Sequence, residues 1–263
     1  PTVHFFAPQY WGWAPWRVSG YAKAVDTALT ILPFEPAWFA KTGVNTEHVG
    51  HPLLDALTEI PTTKPNDDAS DLVLLPGSRA SVIDRNLPWM LDRVAPLVKE
   101  GARVVVLQDN SRHGDRVRNH ILNSKLSGQV EMKTSDLHAH LAAARSAFSV
   151  SGTVLLDLLH HRLPTVVIYR LESGLAWLRP RLLNTPYFSS TNLLSGRELI
   201  PEFGFTGSGP IAAVESALHI AHCDEDWRRD CIAGLDEAAR CLGPAGATRR
   251  AARALLRHAQ KPT

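Results

Sequence analysis

Unbroken apolar runs separated by helix-length amphipathic stretches predict an α/β protein built on a parallel sheet with crossover helices. The runs Leu72–Leu75, Arg103–Leu107 (RVVVL) and Thr165–Tyr169 lack the alternation of a strand with one wet face, so they read as strands covered on both sides. Composition agrees with a globular chain. Of 263 residues 44% are hydrophobic and 21% charged, which excludes disorder, collagen-like repeats and a long coiled coil.

Taken in order, Val3–Ala7 reads as a short buried strand and Pro8–Trp16 as a Pro- and Trp-rich loop. Arg17–Lys23 follows as a short helix and Val25–Leu32 as a strand closed by Pro33. Pro36 suits a first helical turn and Gly43 a helix C-terminus. A short strand near Glu47–Val49 leads to Gly50-His51-Pro52, and the polar, Pro-rich stretch 59–70 is the best linker in the chain. Beyond the linker, Leu72–Leu75 ends in Pro76-Gly77-Ser78-Arg79 and a helical pattern runs to Glu100. After RVVVL come a helix His113–Leu126, a strand Val130–Met132 and a helix Asp136–Arg145. Strand Ser146–Val150, helix Gly152–Arg162 and strand Thr165–Tyr169 complete the alternation. From Ile211 onward three helical stretches follow, the last opened by Pro244.

The charge balance bounds the partners. Twenty-eight Lys and Arg against 26 Asp and Glu leave +2, which argues against nucleic acid while leaving room for a local basic patch. Cys223, Cys231 and Cys241 are odd in number and widely spaced, so they read as reduced packing thiols in a cytoplasmic protein rather than a disulfide framework or zinc site. No apolar run approaches the ~18 residues of a membrane span. The opening Pro-Thr-Val-His-Phe-Phe drops straight into a strand, as a cut through a larger protein would.

Two strand-to-helix junctions carry the chemistry, since ligands of open parallel sheets sit beyond the carboxyl ends of the strands. At the first, Gly77 permits close backbone approach, Ser78 caps the helix or bonds an oxyanion, and Arg79 offers a bidentate fork at the positive helix end. That is an anion site best matched to a diphosphate. A plain N-cap turn with Arg79 paired to Asp84 accounts for the same residues. The second junction, Ser151-Gly152-Thr153, has Asp157 about one turn later, where a carboxylate can accept hydrogen bonds from a ribose diol; an ordinary capped helix is again the alternative.

Competing motifs are weaker. Ser151 with Asp157, His160 and His161 lacks the Gly-x-Ser-x-Gly elbow of a hydrolase. His138 and His140 are two apart, point different ways on a helix and read as solvated. Asp224-Glu225-Asp226 opens a helix beside Trp227, where acidic residues favour the dipole, so it reads as a cap rather than a metal motif. Walker A and Gly-x-Gly-x-x-Gly patterns are absent. The cluster Phe5, Phe6, Tyr10, Trp11, Trp13 and Trp16 reads first as domain-interface core and second as a surface for lipid or an acyl chain.

Several of these segments together resemble one family. Ala7-Pro8-Gln9-Tyr10-Trp11-Gly12-Trp13, Leu32-Pro33-Phe34-Glu35-Pro36, Val49-Gly50-His51-Pro52-Leu53-Leu54-Asp55 and Leu74-Leu75-Pro76-Gly77-Ser78-Arg79 match lipid-A-disaccharide synthases in order and spacing. So do Ser151-Gly152-Thr153, Val166–Arg170 and Asn192–Leu199, and the likeness runs from residue 1 to about Glu202. The resemblance implies a GT-B architecture: a Rossmann-like parallel-sheet domain binding the UDP-sugar, plus the C-terminal remnant of an acceptor domain. It divides the chain into residues 1–58 (acceptor-domain end), 59–70 (linker), 71–210 (donor domain) and 211–263 (C-terminal helices). It further implies an inverting transfer of diacylglucosamine from UDP-diacylglucosamine to diacylglucosamine-1-phosphate (lipid X), with no metal and no cofactor. The enzyme would be peripheral at the inner face of the inner membrane and compatible with a homo-oligomer. Arg79 would be the catalytic residue, neutralising charge on the departing UDP. Asn192, Arg197 and Glu198 would join Gly77, Ser78, Arg79, Ser151, Gly152, Thr153 and Asp157 in the nucleotide-sugar site.

Three departures from the family pattern carry weight. Members have about 110 further N-terminal residues, including a Gly-rich loop and the Asp expected as general base, so this chain is expected to be inactive alone. Asp157 stands where Glu is usual, and Val82 replaces an acidic residue after the Pro-Gly-Ser-Arg turn. Two other readings stay open: a UDP-sugar 2-epimerase of the same architecture, and a non-catalytic UDP-sugar-binding module.

Overall fold

Thr27–Thr30 is buried at every position, which a strand of four residues achieves only between two neighbours under a covering layer. The computed structural model, which describes residues 1–12, 14–62, 70–108, 111–171 and 185–260, gives this strand both neighbours. Strands β1 (Val3–Phe5), β2 (Thr27–Thr30) and β3 (Thr46–His48) form a parallel sheet in that order. Helices α1 (Val18–Ala24), α2 (Glu35–Ala40) and α3 (Leu53–Leu57) connect and flank them. Tyr21, Ala28, Phe39 and Val44 make one core; Leu29, Val49, Ala251 and Ala254 make another.

The larger sheet is wholly parallel. Its strands are β4 (Asp71–Leu75), β5 (Arg103–Leu107), β6 (Val130–Lys133), β7 (Ala144–Val150), β8 (Thr165–Arg170) and β9 (Glu202–Phe205), in spatial order β6-β5-β4-β7-β8-β9. The crossovers are α4 (Ala80–Lys99), α5 (Gly114–Leu122), α6 (Leu137–Ala142), α7 (Val154–His160) and α8 (Ser190–Ser195). Helix α4 buries Ile83, Leu87, Met90, Leu91, Val94 and Leu97, a stripe at spacings of three and four. That stripe joins Leu72, Leu74, Val104, Val106, Phe148 and Ile168 in the main core. Three C-terminal helices follow: α9 (Ile211–Cys223), α10 (Glu225–Cys241) and α11 (Ala247–Ala259).

Contacts divide the chain into two units. One holds residues 1–61 together with those from Ala238 onward; the other runs from Thr62 to Ser173 and from Tyr187 to Glu237. The C-terminal helices therefore do not form one block after residue 211. Helix α9 packs on the main core, while α11 lays Ala251 and Ala254 on the three-stranded sheet. Asp55 fastens α11 by accepting from the backbone N–H groups of Gly246 (2.6 Å), Ala247 (2.9 Å) and Thr248 (2.9 Å).

Several local expectations are corrected. Helix α5 stops at Leu122, α6 at Ala142, and Pro244 precedes rather than opens α11, whose N-cap is Gly246. The short elements α3, α8 and β9 escaped the sequence reading. Asp224 does cap α10, accepting from the Trp227 N–H at 2.9 Å. Only Cys231 is a buried thiol; Cys223 and Cys241 are exposed, and none of the three is in a disulfide. The aromatic cluster splits. Trp11 is buried and Tyr10 packs edge-on to Tyr21, whereas Phe5, Phe6 and Trp16 are exposed; Trp13 lies outside the described residues. Most of the linker stretch, residues 63–69, also lies outside them.

Candidate functional site

The strand order has one reversal. From β4 the chain steps outward through β5 to β6, then α6 returns it to the opposite flank of β4 as β7, and it continues to β8 and β9. The loops leaving β4 and β7 therefore flank the reversal at the carboxyl edge, the position where doubly wound sheets bind ligands. These are the two loops singled out above. Leu75 pairs with Ser149 across the strands, so both chains leave the sheet at the same level.

Glycine is required at the first loop. Gly77 has φ +105°, and a Cβ there would lie 2.6 Å from Val82 Cγ1 and 3.3 Å from Val150 Cγ2. The two loops thus meet side by side, with Val82 filling the space over Gly77. Gly77→Ala is expected to destabilise the chain by about 1–3 kcal/mol through clash and backbone strain. Urea unfolding would measure the loss, and Val82→Ala in the same background should recover only the clash portion.

Ser78 and Arg79 are exposed. Arg79 is the N-cap of α4 in extended conformation, and its side chain makes no cap bond. The alternative pairing with Asp84 is excluded, because Asp84 is held by Arg116 (2.5 Å) and His120 (2.8 Å). Those partners hold the Asp84 carboxyl below the usual carboxylate range. Among the described residues the Arg79 guanidinium has no ion pair. It is a charged fork at the positive end of a 20-residue helix.

At the second loop Gly152 and Thr153 are exposed at the start of α7, and a side chain at Gly152 would meet open space. Ser151 Oγ donates to the Phe188 carbonyl at 3.2 Å, and Phe188 stacks on Tyr169 with ring centroids 5.6 Å apart. The buried Asp157 carboxylate lies 3.9 Å from Nε2 of His138, a residue that is paired rather than solvated. His138 Nδ1 is 3.1 Å from His161 Nε2, and His161 Nδ1 is buried with no partner among the described residues. The least costly tautomers put the His161 proton on Nε2, so that its orphan atom is a bare lone pair. His138 then accepts at Nδ1 and presents its Nε2–H to Asp157.

The last three expected site residues are placed elsewhere. Asn192 is fully buried, and its amide is saturated. Oδ1 accepts from Leu199 N (2.8 Å) and Ile200 N (3.0 Å), while Nδ2 donates to the Ile200 carbonyl (2.9 Å) and Glu202 (3.0 Å). No capacity remains for a ligand, so Asn192 is a scaffold clamp. Arg197 and Glu198 lie between the C-terminus of α8 and the start of β9. The Arg197 guanidinium rests on α10, 2.9 Å from where a Gly234 Cβ would sit.

Two polar residues, Glu202 and Gln108, were missed. Glu202 accepts from the backbone N–H groups of Phe188 (2.6 Å) and Ser189 (2.9 Å), fixing the segment that touches Ser151. Gln108 ends β5, is 3% exposed, and its amide oxygen has no partner among the described residues. A polar residue closing the run RVVVL was the available signal.

The family described as lipid-A-disaccharide synthetase matches residues 1–227. A lipid-A-disaccharide synthase of Granulibacter bethesdensis is 34% identical over 228 residues, covering 82% of this chain and 58% of the relative. One of Azotobacter vinelandii is 29% identical over 270 residues, covering 99% and 70%. The chain thus spans little more than half the length of several of its relatives. Among solved structures, a Listeria monocytogenes protein described as a putative UDP-N-acetylglucosamine 2-epimerase superposes with TM-score 0.61 at 16% identity, over 92% of this chain and 61% of that one. A GtfA/B complex superposes with TM-score 0.59 at 10% identity, over 92% and 47%. At such identities the likeness is one of fold, and the fold is of GT-B type.

Proposed function

Because the chain belongs to the lipid-A-disaccharide synthetase family, we propose that it carries the nucleotide-sugar side of a lipid A glycosyltransferase. The reaction proposed for the whole protein joins diacylglucosamine, supplied as UDP-diacylglucosamine, to diacylglucosamine-1-phosphate with inversion and release of UDP. The observation that carries the reading is Arg79, exposed and without an ion pair among the described residues, at the N-terminus of α4 beside the reversal in strand order.

A pyrophosphate placed at this carboxyl edge would meet the first backbone N–H groups of α4 and α7 and the Arg79 fork. Gly77, Ser78, Ser151, Gly152 and Thr153 line its approach without steric bulk. As the glycosidic bond to UDP breaks, negative charge grows on the leaving phosphate, and a guanidinium placed beside it stabilises it most at that point. Asp157, held by His138, is the carboxylate proposed for the ribose diol. The acceptor is a lipid, so the proposal includes a membrane surface as partner. The exposed Phe5, Phe6 and Trp16 suit such a surface, and among the described residues no helix is long and apolar enough to cross a membrane.

UDP binding is the readout suited to this chain. Calorimetry should show the Arg79→Ala variant binding UDP about thirtyfold more weakly than the parent, the loss of one charge-assisted pair. Equal affinities would remove Arg79 from the diphosphate role.

A further inference from the structure

The geometry points to a divalent-cation site formed by Glu100, His219 and Cys223, on the surface of the larger-sheet unit. His219 and Cys223 are four apart on α9, so they stand one above the other on one helix face. Glu100 is the C-cap of α4, the helix against which α9 packs. One ligand atom from each of the three lies within 4.8 Å of the others, and His219 Nε2 is already 3.6 Å from Glu100 Oε2. A closure of about 1 Å by side-chain rotation brings three such donors to the separations around a tetrahedral ion.

The donor set selects the ion. A thiolate, an imidazole and a carboxylate together suit Zn²⁺, whereas Mg²⁺ and Ca²⁺ call for oxygen alone. All three side chains are exposed, so no buried charge must be created to assemble the site. Glu100 and Cys223 also border a cavity of about 310 Å³, which gives the ion a route in and room for a water as fourth ligand. The nearby positive groups are engaged: Arg145 pairs with Glu225 and donates to the His222 carbonyl at 2.6 Å, and Arg228 lies 3.7 Å from Glu225.

The ion binds Cys223 as thiolate, so binding releases the thiol proton: Zn²⁺ and Cys–SH become [Zn–S–Cys]⁺ and H⁺. The bound ion ties the end of α4 to α9 and stabilises the fold by mass action. The site is at the far end of α4 from Arg79, about 30 Å along a 20-residue helix, so it stands independently of the nucleotide reading.

The test is a Co²⁺ titration of the full chain, followed by displacement with Zn²⁺. The expected result is a thiolate-to-cobalt charge-transfer band with the visible bands of tetrahedral cobalt, bleached by Zn²⁺. The band should vanish in Cys223→Ser and persist in Cys241→Ser. His219→Ala and Glu100→Gln should each weaken Co²⁺ by about tenfold or more. Zn²⁺ should raise the melting temperature of the parent but not of Cys223→Ser, and UDP affinity should be the same in both. Absence of the band, its survival in Cys223→Ser, or unchanged affinity in His219→Ala would overturn the site.

Discussion

Replacing Glu35 with Gln should destabilise the chain by about 2–4 kcal/mol, although the side chains have the same shape. Glu35 is completely buried and accepts three hydrogen bonds. Its Oε2 receives the backbone N–H groups of Ile31 (2.8 Å) and Leu32 (2.8 Å), and its Oε1 receives the indole N–H of Trp11 (2.9 Å). Every one of those partners is a donor, so only a group with acceptors on both sides fits. Glutamine has one oxygen. If it serves the two backbone donors, its NH2 faces the Trp11 N–H, donor against donor. Glu35→Ala should cost more, about 4–5 kcal/mol, because it strands three buried donors and opens a cavity.

The signature that separates this account from ordinary packing loss is a coupling energy. Trp11→Phe alone removes one charge-assisted bond and should cost about 1.5–3 kcal/mol. In the Glu35→Gln background it removes a repulsive contact, so the double variant should be more stable than the sum of the singles by about 1–2 kcal/mol. Urea unfolding with an unchanged slope provides the measurement. Strict additivity, or a Glu35→Gln loss below about 0.5 kcal/mol, would refute the donor-only cradle.

The same residues show what sequence alone can carry. The strands β4 and β5 were legible because burial on both faces leaves an unbroken apolar run, and α4 because its stripe repeats every three to four residues. Strand β9, Glu-Phe-Gly-Phe, was not. It is short, contains a glycine and lies at the sheet edge, so neither run nor alternation stands out. Helix α8 is a single turn and a half, capped by Ser189 accepting from the Asn192 N–H at 3.1 Å and ended by Gly196 at φ +67°. Those caps were the only marks it left in the sequence.

For the candidate site, chemistry carried by adjacent residues was legible and chemistry assembled across the fold was not. Pro-Gly-Ser-Arg and Ser-Gly-Thr each lie within one loop, and the structure sets both at the reversal of strand order. Asn192 belonged to a motif, but its role depends on Glu202 and on backbone atoms seven and eight residues away. His138 was read as solvated because nothing in helix α6 announces that His161, 23 residues later, lies beside it.

Acid should unfold this chain well before its carboxylates are all protonated. His161 and His222 are each held neutral, with pKa about 4 against an ordinary 6.5. Burial is the main cause for both. His160, His138 and Arg162 add repulsion at His161, and Arg145, Arg228 and His219 add it at His222. His222 is also fixed by Ser146, whose Oγ lies 2.8 Å from its Nδ1. Between pH 6.5 and 4 the unfolded chain binds these two protons and the folded chain does not, so stability falls as pH falls through that window. Each histidine accounts for about 3 kcal/mol once fully expressed, and the pair for about 6, comparable with the whole stability of an ordinary domain. His48 and His51, both lowered first by burial, act in the same direction. Asp55, whose three backbone donors overcome its desolvation and hold it at about 2, adds its loss only below pH 4. Near pH 5 the net slope should be about 2 kcal/mol per pH unit, from nearly two protons of difference. Urea unfolding at pH 7.5, 6 and 5 measures it, and His222→Gln should roughly halve it. A slope below about 0.5 kcal/mol per unit between pH 6 and 5 would mean that the folded chain accommodates imidazolium at both positions, and that the His138–His161 contact opens instead of resisting the proton.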